Sequence, residues 1–216
     1  MNSFISISQL VKLFFLGLIL IYFSYTVGFL WYVCCAGYFW FYRKNSSSYL
    51  DSLLANTVVS IAPVSGRVEE IIFDLSNSDL GYSGIKVRIS MPWWRPFGLY
   101  LPVSCSIDNI TQFKGRNFWR YSSQLKSIKN LSRTSVELKN KLGNFLFLEF
   151  IYCPLGGVPR LWSEVGDRGR SGAAFGFFPL GGTVLITLPE STQMRVKKGD
   201  LLVSGVTVLG GVLEDE

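Results

Sequence analysis

The chain has 216 residues, 21 Lys and Arg against 15 Asp and Glu, a net charge of +6 and no histidine. That length allows one ordinary domain plus an appendage. Without histidine, Ser-His-Asp and Cys-His catalysis in their usual forms are excluded, and the commonest metal ligand is absent. Cys34, Cys35, Cys105 and Cys153 form no C-x-x-C pair. They read as buried apolar thiols of a reducing compartment, and no metal site is expected.

The first predicted element is a membrane anchor. Residues 13–42, LFFLGLILIYFSYTVGFLWYVCCAGYFWFY, carry no charge over roughly 30 positions, more than the ~20 a helix needs to cross a bilayer. A signal peptide would have an apolar core roughly half as long, followed by a small-residue cleavage site. Here Tyr38, Trp40, Phe41 and Tyr42 lead into Arg43 and Lys44, which suits a membrane–water interface. Two geometries are open: a single tilted transmembrane helix, or a re-entrant hairpin turning near Ser24 to Gly28. The basic flank places the part that follows in the cytoplasm. The expected organisation is an anchor over 1–44, a linker over 45–56 and a β domain over 57–216.

Within 57–216 the runs TVVSI, RVEEIIF, IKVRISM, LYLPVSC, NFLFLEFIYC, TVLITL and DLLVSGVTVL read as strands. They are short, rich in Val, Ile, Leu and Phe, and bounded by Gly, Pro, Ser or Asn. A short helix fits only 121–131. This predicts a mainly β domain, a compact antiparallel barrel or sandwich. Six glycines between Gly166 and Gly182 mark tight turns, without the spacing of a nucleotide-binding loop. In FGFFPLGGTVLITLP, residues 175–189, a strand, a Gly181-Gly182 turn and a second strand follow one another.

Three further features carry chemistry. MPWWRPFGLY holds Trp93 and Trp94 beside Arg95; adjacent residues of an extended chain face opposite ways, so one core cannot take both rings. The readings are an aromatic loop at a bilayer surface with Arg95 near phosphates, or one Trp in the core and one in a groove or partner contact. Between 112 and 142 stand Lys114, Arg116, Arg120, Lys126, Lys129, Arg133, Lys139 and Lys141 against Glu137 alone. On a tethered chain these suit anionic lipid, or a solvated basic face, rather than nucleic acid. Glu69, Glu70, Glu149 and Glu164 read as surface or edge charges.

Several blocks, in order, resemble the phosphatidylserine decarboxylase family in its short, membrane-anchored bacterial and archaeal form. They are the WFYRK exit, IAPVSGRVEEI (61–71), KVRISMPWWRPFGLYLPVS (86–104), VGDRGRSGAAFGFFPLGGTVLITLP (165–189) and VKKGDLLVSGVTVLG (196–210). The resemblance implies a phospholipid-facing fold in an inner membrane of bacterial type. In that family a chain cuts itself at Gly-Ser; the serine becomes a pyruvoyl group, whose ketone takes the substrate amine as a Schiff base. Here Gly181 matches the family's Gly and Gly182 its Ser, Ser65 stands for its Asp, and Tyr100 or a gap stands for its His. The implied protein is a family member without pyruvoyl or other cofactor. Its partners would be membrane phospholipid and an active homologue or another membrane protein, with Trp93, Trp94, Arg95, Arg43 and Lys44 as the implied lipid contacts. The alternatives are an active decarboxylase by a divergent route, for instance at Thr183, and a structural subunit of a membrane complex.

Overall fold

The computed structural model describes residues 7–41, 58–74, 84–117, 130–140, 143–154 and 156–212. The expected linker 45–56, Arg43 and Lys44, and nearly all of the expected helix 121–131 lie outside them. The chain divides into two units, Met1–Asn45 and Ser46–Glu216.

The first unit is a helical hairpin of α1 (Ile7–Phe23) and α2 (Tyr25–Phe41). Trp31 Nε1 donates to the Leu13 carbonyl at 3.1 Å, and the Tyr32 hydroxyl donates to that of Phe14 at 3.4 Å. On one continuous helix such residues would stand ~27 Å apart. The chain folds back at Ser24. Its N–H still closes on Leu20, its carbonyl accepts the Gly28 N–H, and its Oγ lies 2.9 Å from Thr26 Oγ1. Serine at this position restarts a helix as an N-cap. Glycines let the two backbones approach: a Cβ at Gly17 would sit 2.8 Å from the Tyr32 ring, and one at Gly28 2.9 Å from the Ile21 Cα. Among the described residues no helix is long and apolar enough to cross a membrane, so the single tilted span is not supported. Apolar side chains stay exposed on both helices, among them Phe14, Phe15, Ile19, Phe29, Leu30 and Trp40, and Cys34 is exposed rather than buried.

The second unit is mainly β. Its strands are β1 (Val58–Ile61), β2 (Gly66–Asp74), β3 (Gly84–Ser90), β4 (Gly98–Tyr100), β5 (Cys105–Phe113), β6 (Arg133–Asn140), β7 (Phe145–Tyr152), β8 (Arg160–Leu161), β9 (Arg168–Gly169), β10 (Ala174–Phe177), β11 (Gly182–Leu188), β12 (Gln193–Met194), β13 (Leu201–Leu202) and β14 (Val208–Val212). Eight form one antiparallel sheet in the order β13-β2-β3-β11-β7-β6-β5-β9. Two three-stranded sheets, β1-β14-β12 and β4-β10-β8, complete the unit. Among the described residues β13 and β9 do not pair with each other, so no barrel closes. Both faces of β11 are buried, as its apolar run requires for a strand packed on two sides. Phe150, Phe175 and Phe178 pack ring to ring in the core beside Ile89, Leu148 and Ile186.

Two expected strands each contain a turn. LYLPVSC divides into the end of β4, a turn and the start of β5, and DLLVSGVTVL divides into β13 and β14. In both, a Ser-containing turn hides inside an apolar run.

These turns belong to an internal duplication. Pro63-Val64-Ser65 recurs as Pro102-Val103-Ser104, and Gly166-Asp167 with Ser171-Gly172 recurs as Gly199-Asp200 with Ser204-Gly205. The hydrogen bonds recur with them. Ser204 N–H donates to Ser65 Oγ at 3.0 Å, and Ser171 N–H to Ser104 Oγ at 3.1 Å. Gly205 donates to Ala62 and Gly172 to Leu101, both at 2.9 Å. Bulges fall at matching places, Val68/Glu70 in β2 and Ile107/Asn109 in β5. The strands β4–β10 thus make one module, inserted between β3 and β11 of a second module built from β1–β3 and β11–β14. β7 and β11 are the matching strands and pair with each other, Leu148 facing Ile186.

Candidate functional site

Two connections join the modules, and they lie side by side: residues 91–97 lead in and residues 178–181 lead out, with Phe178 N–H on the Phe97 carbonyl at 2.8 Å. The Gly181-Gly182 turn is the outward connection. It does not close a hairpin, because β10 pairs with β4 and β8 while β11 pairs with β3 and β7.

Gly181 N–H returns to the Phe178 carbonyl at 3.1 Å, with Pro179 and Leu180 between them. Leu180 has φ +57° and Gly181 φ +67°. Proline favours the first central position of such a turn, and a positive φ is usually left to glycine at the second. Leucine there costs about 1–2 kcal/mol. At Gly181 the dihedral and the space both call for glycine, since a Cβ would run into the Met91 carbonyl. Gly182 opens β11, and its carbonyl accepts the Met91 N–H at 2.9 Å. A Cβ there would lie 2.6 Å from the Ile151 carbonyl oxygen and 2.7 Å from the Phe178 ring. The space beside residue 182 is filled.

Ser65 precedes β2, is buried, and binds both the N–H and the hydroxyl of Ser204, at 3.0 and 2.9 Å. Tyr100 ends β4; its N–H donates to the Pro63 carbonyl at 2.9 Å, and its ring covers Gly205, where a Cβ would lie 2.9 Å away. Arg67 pairs with Ser90 and Ser90 with Thr183. Ser65 and Gly182 therefore lie at one end of the large sheet with β3 between them, about 10 Å apart by strand spacing. Gly181 and Gly182 form the outward connection, Ser65 lies two strands from them, and Tyr100 packs on Gly205, next to the Ser204 that Ser65 binds. Thr183 points to the other side of the sheet, and its buried Oγ1 has no partner among the described residues. No set of three metal-binding side chains occurs among the described residues.

Trp93 and Trp94 occupy the turn of the inward connection. Neither enters the core: they are 54% and 51% exposed, with their rings edge to face at 5.6 Å. A turn, unlike the extended chain assumed from sequence, brings neighbouring rings to one side. Arg95 is half-buried.

Two sequence expectations change. Glu149 is not an edge charge: it is 1% exposed and accepts from Arg133 Nε at 3.0 Å. Burial raises its pKa, against the opposing pull of Arg133 and Lys86. Arg133 correspondingly leaves the expected basic face and stacks at 4.0 Å on the Phe113 ring. Sequence reasoning also misses a basic cleft of about 470 Å³ at the opposite end of the large sheet, lined by Ser104, Ser106, Lys139, Asn140, Arg168 and Arg170. The signal that finds it is the internal repeat.

The chain is 27% identical over 162 residues to a phosphatidylserine decarboxylase proenzyme of Chlorobium phaeobacteroides, covering 70% of each chain. It is 27% identical over 160 residues to a phosphatidylserine decarboxylase proenzyme of Chlorobaculum tepidum, covering 69% of this chain and 68% of that one. No family model matches. The chain is a distant relative of the phosphatidylserine decarboxylases. Forming a pyruvoyl group needs a serine hydroxyl oxygen, which starts the acyl shift and leaves in the elimination, and a β-carbon, which becomes the methyl; the residues here do not fit it. Residue 182 carries neither atom, and the Ile151 carbonyl and Phe178 ring stand where they would go.

Proposed function

We propose that this protein belongs to phospholipid metabolism as a pseudoenzyme: it is not cleaved and does not decarboxylate phosphatidylserine. It acts as a phospholipid-binding or non-catalytic subunit, beside an active homologue or another membrane protein. The observation that carries this reading is the filled space at Gly182. With no hydroxyl, no acyl shift begins, and the neighbouring Thr183 hydroxyl lies on the wrong side of the strand. The helical hairpin supports a membrane setting, because exposed apolar side chains on both helices favour lipid or an apolar partner over water. The paired Trp93 and Trp94 rings supply a second surface suited to the interface.

Intact-mass measurement of purified full-length protein tests this. One uncleaved chain of 24.3 kDa is expected, with no phosphatidylethanolamine formed from phosphatidylserine vesicles. Two fragments, the second bearing a hydrazine-reactive keto N-terminus, would overturn the reading.

A further inference from the structure

The duplication provides an internal control for the basic cleft. Ser106 pairs with Lys139 as Arg67 pairs with Ser90, and Gly169 pairs with Cys105 as Leu202 pairs with Gly66. Each cleft position therefore has a counterpart on the same backbone in the other module. Lys139 corresponds to Ser90, Arg168 to Leu201 and Arg170 to Val203. The fold is built once without these three cations, so the fold does not demand them.

The cleft also lacks opposing charge. No carboxylate lines it, and among the described residues Lys139, Arg168 and Arg170 form no ion pair. The adjacent Asp167 Oδ2 is engaged by the Glu164 N–H at 2.8 Å. Ser104 Oγ accepts the Ser171 N–H at 3.1 Å, which leaves its O–H free to donate into the cleft. Asn140 Oδ1 accepts the Asn144 N–H at 2.9 Å, which leaves its amide N–H groups free as donors. The volume, about 470 Å³, is of the size that takes a small organic ligand. Two arginine forks, an ammonium and a hydroxyl donor together match the several oxygens of a phosphate group better than a single carboxylate.

We propose that this cleft binds a phosphate ester, at a site separate from the Gly182 junction. Gly182 pairs with Tyr152 at one end of β7, and Lys139 pairs with Phe145 at the other, about 20 Å away along the strand. The site is independent of whether the chain is cleaved.

The test uses the full-length protein in detergent, with glycerol 3-phosphate and inorganic phosphate as soluble probes, acetate at matched ionic strength, and phosphatidylserine–phosphatidylcholine vesicles. The decisive variant is Arg168→Leu with Arg170→Val, which copies the residues of the other module and so keeps a backbone already compatible with them. Lys139→Gln is the second variant, and Arg195→Gln, outside the cleft, is the control. We expect glycerol 3-phosphate or anionic vesicles to bind, binding to fall at least tenfold in the double variant and several-fold in Lys139→Gln, and Arg195→Gln to behave as wild type. Loss of vesicle binding alone identifies a membrane headgroup as the source; loss of glycerol 3-phosphate binding as well identifies a soluble ester. Acetate binding as tightly as phosphate, equal binding by wild type and both cleft variants, or no binding of any phosphate probe would overturn the proposal.

Discussion

The two modules share a backbone, and their open ends differ in character. In the inserted module the end holds Lys139, Arg168 and Arg170. In the outer module the matching residues are Ser90, Leu201 and Val203, with Leu201 57% and Val203 39% exposed. The Trp93-Trp94 turn follows directly from that apolar end. Positions alike in both copies, such as Ser65 and Ser104, report what the turn needs. Positions that differ are free of that need and report what each end meets. A similar difference lies within the large sheet: the inserted module buries Arg133 against Glu149, where the outer module has Gly84 and Thr187.

Breaking that buried pair is the largest test of the asymmetry. Arg133→Met is expected to cost about 3–5 kcal/mol, because Glu149 would be left buried without its counter-charge; urea unfolding measures it. The same glutamate makes stability depend on pH. Its folded pKa is raised above the unfolded value, so the folded state holds the extra proton in that window. Stability should fall as pH rises from the ordinary carboxylate range through the folded pKa. The Glu149→Gln variant should lose this slope. A wild-type slope of the opposite sign would show that Arg133 outweighs burial.

At the junction, Gly182→Ser restores the family's hydroxyl and should neither cleave nor decarboxylate. It should also destabilise by about 1–3 kcal/mol, since its Cβ meets a backbone oxygen and a packed ring. Cleavage of that single variant would show that the filled space opens readily.

The smallest effect compares matched glycines. Gly205 and Gly172 have φ +69° and +77°, so alanine at either carries about 1 kcal/mol of backbone strain. Only at Gly205 would the new Cβ also press on Tyr100, at 2.9 Å; at Gly172 the nearest atom, Ile61 Cδ1, is 3.4 Å away. Gly205→Ala should therefore lower the melting temperature more than Gly172→Ala.

Much of this was legible in the residues. Short apolar runs bounded by Gly, Pro, Ser or Asn gave β2, β3, β7 and β11 nearly to their ends, and the hairpin was one of two geometries that the uncharged run allowed. Periodicity could not separate them, because the discriminating features are one serine and two glycines that let helices touch. Strand pairs β4/β5 and β13/β14 were hidden for a related reason: Val, Leu and Ile continue through the turns, and only Ser65-type hydrogen bonds mark the reversal. The four positions singled out by resemblance were named from blocks scattered over more than 100 residues, and insertion of one module into another draws those blocks together. Glu149 and Arg133 looked like ordinary surface charges, since nothing in a single sequence announces that a lone Glu in an apolar strand meets an arginine set diagonally on the neighbouring strand. The basic cleft was visible only as the contrast between GDRGRSG and GDLLVSG, and that contrast has meaning once both are known to occupy one geometry.

The insertion also orders events at the ribosome. Strands β4–β10 emerge as an unbroken stretch and can close on themselves while synthesis continues. β1 must wait for β14, its partner, and so for residues up to 212. Until then the earliest strands have half of their module missing, and a nascent chain stopped before residue 182 should present the inserted half folded and the enclosing half open to proteolysis.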